Sequence, residues 1–164
     1  MFRIKKVQPD EIRELSVLAS AILKEHYDPI IGPEQNDYML EMFQTAESIA
    51  GQIEHGYRYY WAVYNGEKAG FFAIIPRDGS MYLSKLYIKK ERRGLHMARP
   101  IIDFIAKEMK KERLKSIFLN VNKRNYDSIE IYKHLGFSVI REEKNDIGNG
   151  YFMDDYVMEY PAEV

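Results

Sequence analysis

The run from Tyr57 to Ile88, "YRYYWAVYNGEKAGFFAIIPRDGSMYLSKLYI", constrains the fold more than any other part of the chain. Asn65-Gly66 stands between two apolar segments. Asn and Gly both tolerate left-handed backbone, so such a step closes a two-residue hairpin. "RDGS" at residues 77–80 supplies a second turn, and "MYLSKLYI" reads as a third strand. Three consecutive antiparallel strands make one sheet, against which the rest of the chain must pack.

The flanks supply the packing elements. "FRIKKV" at residues 2–7 reads as a short strand. Asp10 is positioned to cap a helix with Ile12, Leu15, Leu18, Ala19 and Ile22 on one face. That helix is expected to fade near Pro29, Gly32 and Pro33. "EQNDYMLEMF" gives a second short helix. "TAESIAGQIEHG" gives a third, with Thr45 or Ser48 near its start and Gly56 at its end. Beyond the three strands, Leu95, Ala98, Ile102, Ile105 and Met109 mark a long amphipathic helix. "SIFLNV" suits the buried middle of a sheet. "DSIEIYKHLG" is a helix stopped by Gly136, and "FSVIREE" and "YFMDDYVMEY" are strands joined through "NDIGNG". The order predicts an α/β (α+β) fold: a single domain over residues 1–164, with one mixed, mostly antiparallel central sheet flanked by helices.

Composition excludes several chemistries. The chain has no cysteine, so disulfides, cysteine zinc sites and a cysteine nucleophile are all ruled out. No metal site is expected. A net charge of -1 gives no global field for nucleic acid, so "KKERR" and "KKERLK" read as solvated charge. "MFRIKKVQPDEIREL" contains no long apolar run, so neither a secretory signal nor a membrane span is expected. A cytoplasmic protein is the expectation.

The loop "KKERRGLHMAR", residues 89–99, invites an anion. Arg92, Arg93 and Gly94 lead into a helix start, where unpaired N–H groups and the helix dipole favour negative charge. Gly94 permits close approach of a phosphate. His96 occupies a place where a second glycine would be at ease. Pro100 is harmless if the helix begins near Met97, since it then removes only an N–H that has no helical partner. A nucleotide P-loop is excluded because no Gly-Lys-Ser/Thr follows.

Three features in order sharpen this reading: "KLYI" ending the strand before the loop, Asn125 at the start of the helix after "FLNV", and Tyr132-x-x-x-Gly136-Phe137 at that helix's end. Together they resemble the GNAT superfamily of acetyl-CoA-dependent N-acetyltransferases, over roughly residues 57 to 160. The resemblance implies that the backbone of Leu86, Tyr87 and Ile88 pairs with the pantetheine arm as an added strand. It implies that Arg92, Arg93, Gly94, Leu95, His96, Met97 and Ala98 hold the pyrophosphate. Asn125 would position the coenzyme and Tyr132 would face its sulfur. His96 departs from the family, which commonly has glycine there.

Acetyl transfer to an amine needs a base, an oxyanion donor and a proton for the leaving thiolate. With no cysteine for an acyl-enzyme, direct transfer within a ternary complex is expected. Tyr132 is the candidate acid; tyrosine titrates near ~10 and a thiol near ~8.5, so a hydrogen bond alone can serve. The backbone N–H of Tyr87 is the candidate oxyanion donor. Many GNAT enzymes carry a glutamate on the strand before the loop, but here that stretch reads Leu83, Ser84, Lys85. The candidate bases are therefore a water chain relayed by Ser84 or a carbonyl, a carboxylate among Glu34, Asp37 and Glu41, or His26.

Tyr27, Glu34, Asp37, Tyr38, Tyr151 and Asp154 form the candidate acceptor-binding set, suited to a cationic amine through charge and cation–π contact. Asp154 and Asp155 are adjacent, so at most one points inward. The C-terminal end resembles a bacterial subgroup similar to polyamine acetyltransferases. The expected activity is acetyl transfer from acetyl-CoA to a primary amine, such as a small cationic molecule. A peptide or protein acceptor and a non-catalytic acyl-CoA-binding module are the alternatives. A homodimer is a candidate assembly.

Overall fold

A computed structural model describes residues 1–161. Seven strands and five α-helices follow one another: β1 (Phe2–Lys6), α1 (Ile12–Ile31), α2 (Pro33–Phe43), α3 (Ala46–Glu54), β2 (Arg58–Tyr64), β3 (Glu67–Arg77), β4 (Ser80–Ile88), α4 (Ala98–Lys111), β5 (Ser116–Asn122), α5 (Tyr126–His134), β6 (Ser138–Gly148) and β7 (Tyr151–Pro161). The strand order is β1-β2-β3-β4-β5-β7-β6. Every pairing described is antiparallel except β4 with β5, so the mixed, mostly antiparallel α/β fold expected from the sequence is present. Contacts divide the chain into two compact units: residues 1–75 with 85–97, and residues 76–84 with 98–164.

The first unit holds β1, β2, most of β3, the end of β4 and helices α1–α3. Asn65 and Gly66 both take left-handed backbone, with φ of 49° and 80°, and so close the hairpin as their residue types demand. Leu15, Ala19, Ile22 and Leu23 of α1 and Ile49 of α3 bury one face against Tyr59, Trp61, Val63, Phe71 and Ala73. Thr45 caps α3 by accepting the N–H of Ser48 at 3.1 Å.

Two expectations need correction here. Asp10 does not cap α1. A single 3-10 turn, Pro9–Glu11, precedes the helix, and Glu11 accepts the N–H of Gln8 at 2.8 Å because Pro9 fixes the turn's entry. α1 ends in the expected stretch, at Gly32 before Pro33, but not at Pro29. The helix runs through it to Ile31 and stops at Gly32, whose φ is 88°. A proline one turn from a helix end costs a single backbone hydrogen bond. Asn36, buried in α2, ties this end down by donating to the Leu23 carbonyl at 3.0 Å and to Asp28 at 2.8 Å.

In the second unit β5 is central. It pairs with β4 at Met81↔Ile117 and Tyr82↔Phe118, and with β7 from Ser116↔Pro161 to Asn122↔Asp155. Ile117, Leu119 and Val121 are buried, as are Ile101, Ile102, Ile105 and Met109 along α4. Asn149-Gly150, with φ of 55° and 79°, closes β6 onto β7; β6 runs further into "NDIGNG" than expected, while β7 begins at Tyr151 as expected. Pro100 falls in the first turn of α4, where it costs nothing. Leu95 is a correction: it is exposed and outside α4, because the left-handed His96 (φ 57°) interrupts any helix before Ala98.

Candidate active site

The first unit carries the strand end and loop singled out by sequence. The β2–β3 register slips at Ala62/Val63, leaving Ala69 as a bulge. The Ala69 carbonyl accepts the N–H of Lys89 at 2.8 Å, so the bulge sets where β4 ends. Gly70 then lies directly against the backbone of Tyr87 and Ile88.

The loop that follows takes positive φ at Gly94 (85°) and at His96 (57°), but not at Leu95. Alternating handedness turns successive amides to one side, the geometry of a backbone anion nest. Gly94, Leu95 and His96 are exposed, while Met97 is buried and anchors the loop. Both arginines are engaged. Arg92 meets Glu67 at 2.6 Å. Arg93 donates through Nε to the Ile88 carbonyl at 3.0 Å and through Nη2 to Glu25 at 2.6 Å. Each arginine hydrogen bond holds its carboxylate below the ordinary range. The loop's charge is therefore partly balanced by α1 and β3, and both arginines are tethered by these carboxylates.

Tyr27 of α1 meets Tyr87 edge to face at 6.1 Å, and Tyr87 also packs on Phe71 at 5.7 Å. The structure thus brings Tyr27 to the strand end. His26 packs on Tyr27 at 4.8 Å. On α2, Glu34, Asp37 and Glu41 share the exposed face, and Asp37 pairs with Lys24 at 2.6 Å. Tyr38 is half-buried beside them in sequence.

Lys85 is the residue that sequence reading passed over. Its Nζ is buried within hydrogen-bond distance of four oxygens: Tyr59 OH at 2.5 Å, Gln44 Oε1 and Gln52 Oε1 at 3.1 Å, and the Phe43 carbonyl at 3.2 Å. None is a carboxylate, and burial pushes its pKa down to about 7. Burial likewise raises the pKa of the Tyr59 phenol. The signal was present: Met81, Leu83 and Lys85 alternate on one side of β4, and the first two are core residues.

In the second unit, Asn125 is buried at the start of α5, where its carbonyl accepts the N–H of Ile129 at 3.1 Å. Tyr132, half-buried, packs edge to face on Phe137 at 5.4 Å, and its carbonyl accepts the Phe137 N–H at 3.0 Å. Gly136 makes that return with φ of 110°. Ser84 and Tyr151 are both half-buried. Of the two adjacent acids, the inward one is Asp155, at 3% exposure. Asp154 is half-exposed and pairs with Lys123 at 3.0 Å.

The sequence model of the family described as "Acetyltransferase (GNAT) domain" matches residues 11–158. This chain is a GNAT acetyltransferase. GNAT enzymes take their acetyl group from acetyl-CoA. A 5-NmdU N-acetyltransferase of Pseudomonas phage PaMx11 is 27% identical over 143 residues, covering 84% of this chain and 98% of the relative. Among solved structures, PaiA N-acetyltransferase of Thermoplasma acidophilum, in complex with coenzyme A, has a TM-score of 0.82 at 20% identity and covers 98% of this chain and 99% of its own. The ribosomal-protein-S18-alanine N-acetyltransferase of Escherichia coli has a TM-score of 0.71 at 16% identity, covering 100% and 96%. These two share the GNAT fold with this chain. No described helix is long and apolar enough to cross a membrane.

Proposed function

We propose that this GNAT chain moves an acetyl group directly from acetyl-CoA to the primary amine of a small cationic molecule, a polyamine being the model acceptor. The observation that carries the reading is the loop after β4, with left-handed Gly94 and His96 alternating around Leu95 and two arginines tethered beside it. The family match spans both compact units, which supports treating residues 1–164 as one catalytic domain. A cytoplasmic setting agrees with the cysteine-free composition.

In this reading Leu86, Tyr87 and Ile88 pair with pantetheine, and residues 92–98 hold the pyrophosphate. Asn125 positions the coenzyme. The Tyr87 N–H stabilises the oxyanion, and Tyr132 protonates the leaving thiolate. Ser84 relays water near the strand. Tyr27, beside Tyr87, offers an aromatic face to a cation, with Tyr38, Tyr151, Glu34, Asp37 and Asp154 further along the acceptor. The absence of cysteine supports transfer without a thioester on the protein.

A second reading takes 5-NmdU, the compound in the phage relative's name, as acceptor. It is favoured by alignment over 98% of that relative. Thiol release from acetyl-CoA across a panel of polyamines, 5-NmdU and short peptides tests both. Release with the polyamines alone supports the first reading. Release with 5-NmdU or peptide alone replaces it. Acetyl-CoA binding without release from any acceptor leaves a non-catalytic module.

A further inference from the structure

The second unit holds a cavity lined by none of the residues assigned to acetyl transfer. Its volume is about 330 Å³, and Arg77 and Asp78 line it where β3 turns into β4. β4 begins at this cavity with Ser80, whereas the loop proposed to hold the pyrophosphate follows the strand's other end, at Ile88. Its size falls at the low end of small-molecule sites, so it suits a ligand of few atoms. Phe118 and Asn120 line it from one side of β5, the side that also carries the buried Ser116.

Three cations and three carboxylates line this cavity, and their partners tell them apart. Arg141 donates to one oxygen of Glu143 at 3.1 Å and Asn120 to the other at 3.1 Å, so that carboxylate is satisfied. Arg77 lies over the Tyr82 ring at 4.5 Å. Asp78 is exposed at the tip of the turn. Glu159 and Lys115 differ from these. Among the described residues neither has an ion-pair partner, and they do not pair with each other. Glu159 is nonetheless held in place. The buried Ser116 donates to its Oε2 at 3.0 Å, which commits the Ser116 hydrogen, so the buried Ser80 must donate to Ser116 across 2.7 Å. Buried hydroxyls cost stability unless bonded, and this relay ends on Glu159, whose Oε1 has no donor among the described residues. Lys115 is placed by its own N–H, which donates to the Gly79 carbonyl at 3.0 Å, and its aliphatic stem lies beside Gly79.

We propose that this cavity binds a small zwitterion, a free amino acid with an apolar side chain. Its ammonium meets Glu159 and its carboxylate meets Lys115. Its side chain lies along Phe118 and Ile140, the apolar part of the same lining. A simple cation would leave Lys115 unpaired, and a simple anion would leave Glu159 so. A zwitterion satisfies both and adds no net charge to a lining in which three cations and three carboxylates already balance. Binding here is independent of the acetyl-transfer reading, in which none of these residues has a part.

The probe is leucine, titrated into isotope-labelled protein while the backbone amide shifts are followed by NMR. Leucinamide, which lacks the carboxylate, and isocaproate, which lacks the ammonium, are titrated beside it. Leucine is expected to bind with a Kd of ~1 mM or tighter, the scale open to a ligand of so few atoms, and to move the amides of residues 78–80, 115–120 and 159. Each analogue should bind at least ~tenfold more weakly, because each leaves one charge of the cavity unpaired. Glu159→Gln keeps an acceptor for Ser116 and loses the charge, and Lys115→Met keeps the stem and loses the ammonium. Either should weaken leucine at least ~tenfold while the melting temperature stays within ~2 °C. The analogues decide the matter on wild-type protein, whether or not a variant folds. Equal binding of leucine and either analogue overturns the proposal, as do shifts confined to residues outside the cavity or no shift at ~10 mM leucine.

Discussion

A Cβ atom placed on Gly70 would stand 2.2 Å from the carbonyl oxygen of Tyr87 and 3.0 Å from the Cα of Ile88. Both neighbours are backbone, so no side-chain rotation relieves the clash. β3 presses on β4 where the pantetheine arm is proposed to pair. Gly70→Ala must push the strand end outward, at ~1–3 kcal/mol for an overpacked interior. Acetyl-CoA affinity is expected to fall at least ~tenfold, the equivalent of ~1.4 kcal/mol, with the protein still folded at 25 °C. Calorimetry beside a thermal melt checks it. Unchanged affinity would mean that the Tyr87–Ile88 backbone does not contact the coenzyme.

Lys85 makes a prediction about pH. Its folded pKa, near 7, lies below the ordinary lysine value, so the unfolded chain holds a proton that the folded chain lacks between the two. Stability contributed by the neutral amine is complete above ~10.4 and is lost as pH falls towards 7, with a slope of at most ~1.4 kcal/mol per pH unit. Lys85→Met removes this slope. It also adds a pH-independent cost, because Gln44, Gln52 and Tyr59 lose a shared partner. Urea midpoints at pH 7, 8.5 and 10 should therefore show the wild type gaining on Lys85→Met as pH rises. Parallel midpoints would mean that Lys85 stays charged.

Tyr132 packs its ring on Phe137, and phenylalanine at 132 preserves that contact. Tyr132→Phe should keep the melting temperature within ~2 °C, as expected for a sub-kcal/mol change in a chain of this size. Acetyl-CoA binding should be unchanged, while kcat falls ~10²-fold, as for loss of a general acid. Stopped-flow detection of free thiol at saturating substrates measures this. Retained turnover would make Tyr132 a packing residue alone.

Much of this was legible because local chemistry dictated it. Asn65-Gly66 and Asp78-Gly79 all take the left-handed backbone that their types favour, and they fix the three-strand core of the sheet. Pro100 is harmless, as expected for a helix starting near Met97, because α4 begins at Ala98. The misreadings arose where a neighbour decided the outcome. Asp10 yielded to Glu11 because Pro9 set the turn, and Leu95 left the helix because His96 took positive φ. Lys85 and Asp155 were invisible to motif matching. They stand out by burial, set by strand registers such as Glu143↔Asp155 that bring residues together across the sheet. Of Asp154 and Asp155, alternation said that at most one faces inward. Only the pairing of β7 with β5 and β6 says which.

Arg93 poses the last question, because its guanidinium joins two jobs. It pairs with Glu25 at 2.6 Å and bonds the Ile88 carbonyl at 3.0 Å, while the loop around it is proposed to hold a pyrophosphate. Arg93→Glu alone sets two carboxylates together and mixes lost anion binding with local repulsion. Pairing it with Glu25→Lys restores opposite charges. The exchange should recover the melting temperature, since a half-exposed pair is worth ~1 kcal/mol or less. It should not recover acetyl-CoA binding, which is expected to stay at least ~30-fold weaker at low salt, because a carboxylate at 93 repels phosphate and lacks the guanidinium's donors. Calorimetry at two salt concentrations separates the outcomes. Persistent loss that narrows as salt rises assigns Arg93 to the anion. Full recovery in the double variant would assign it to holding α1 against the strand end.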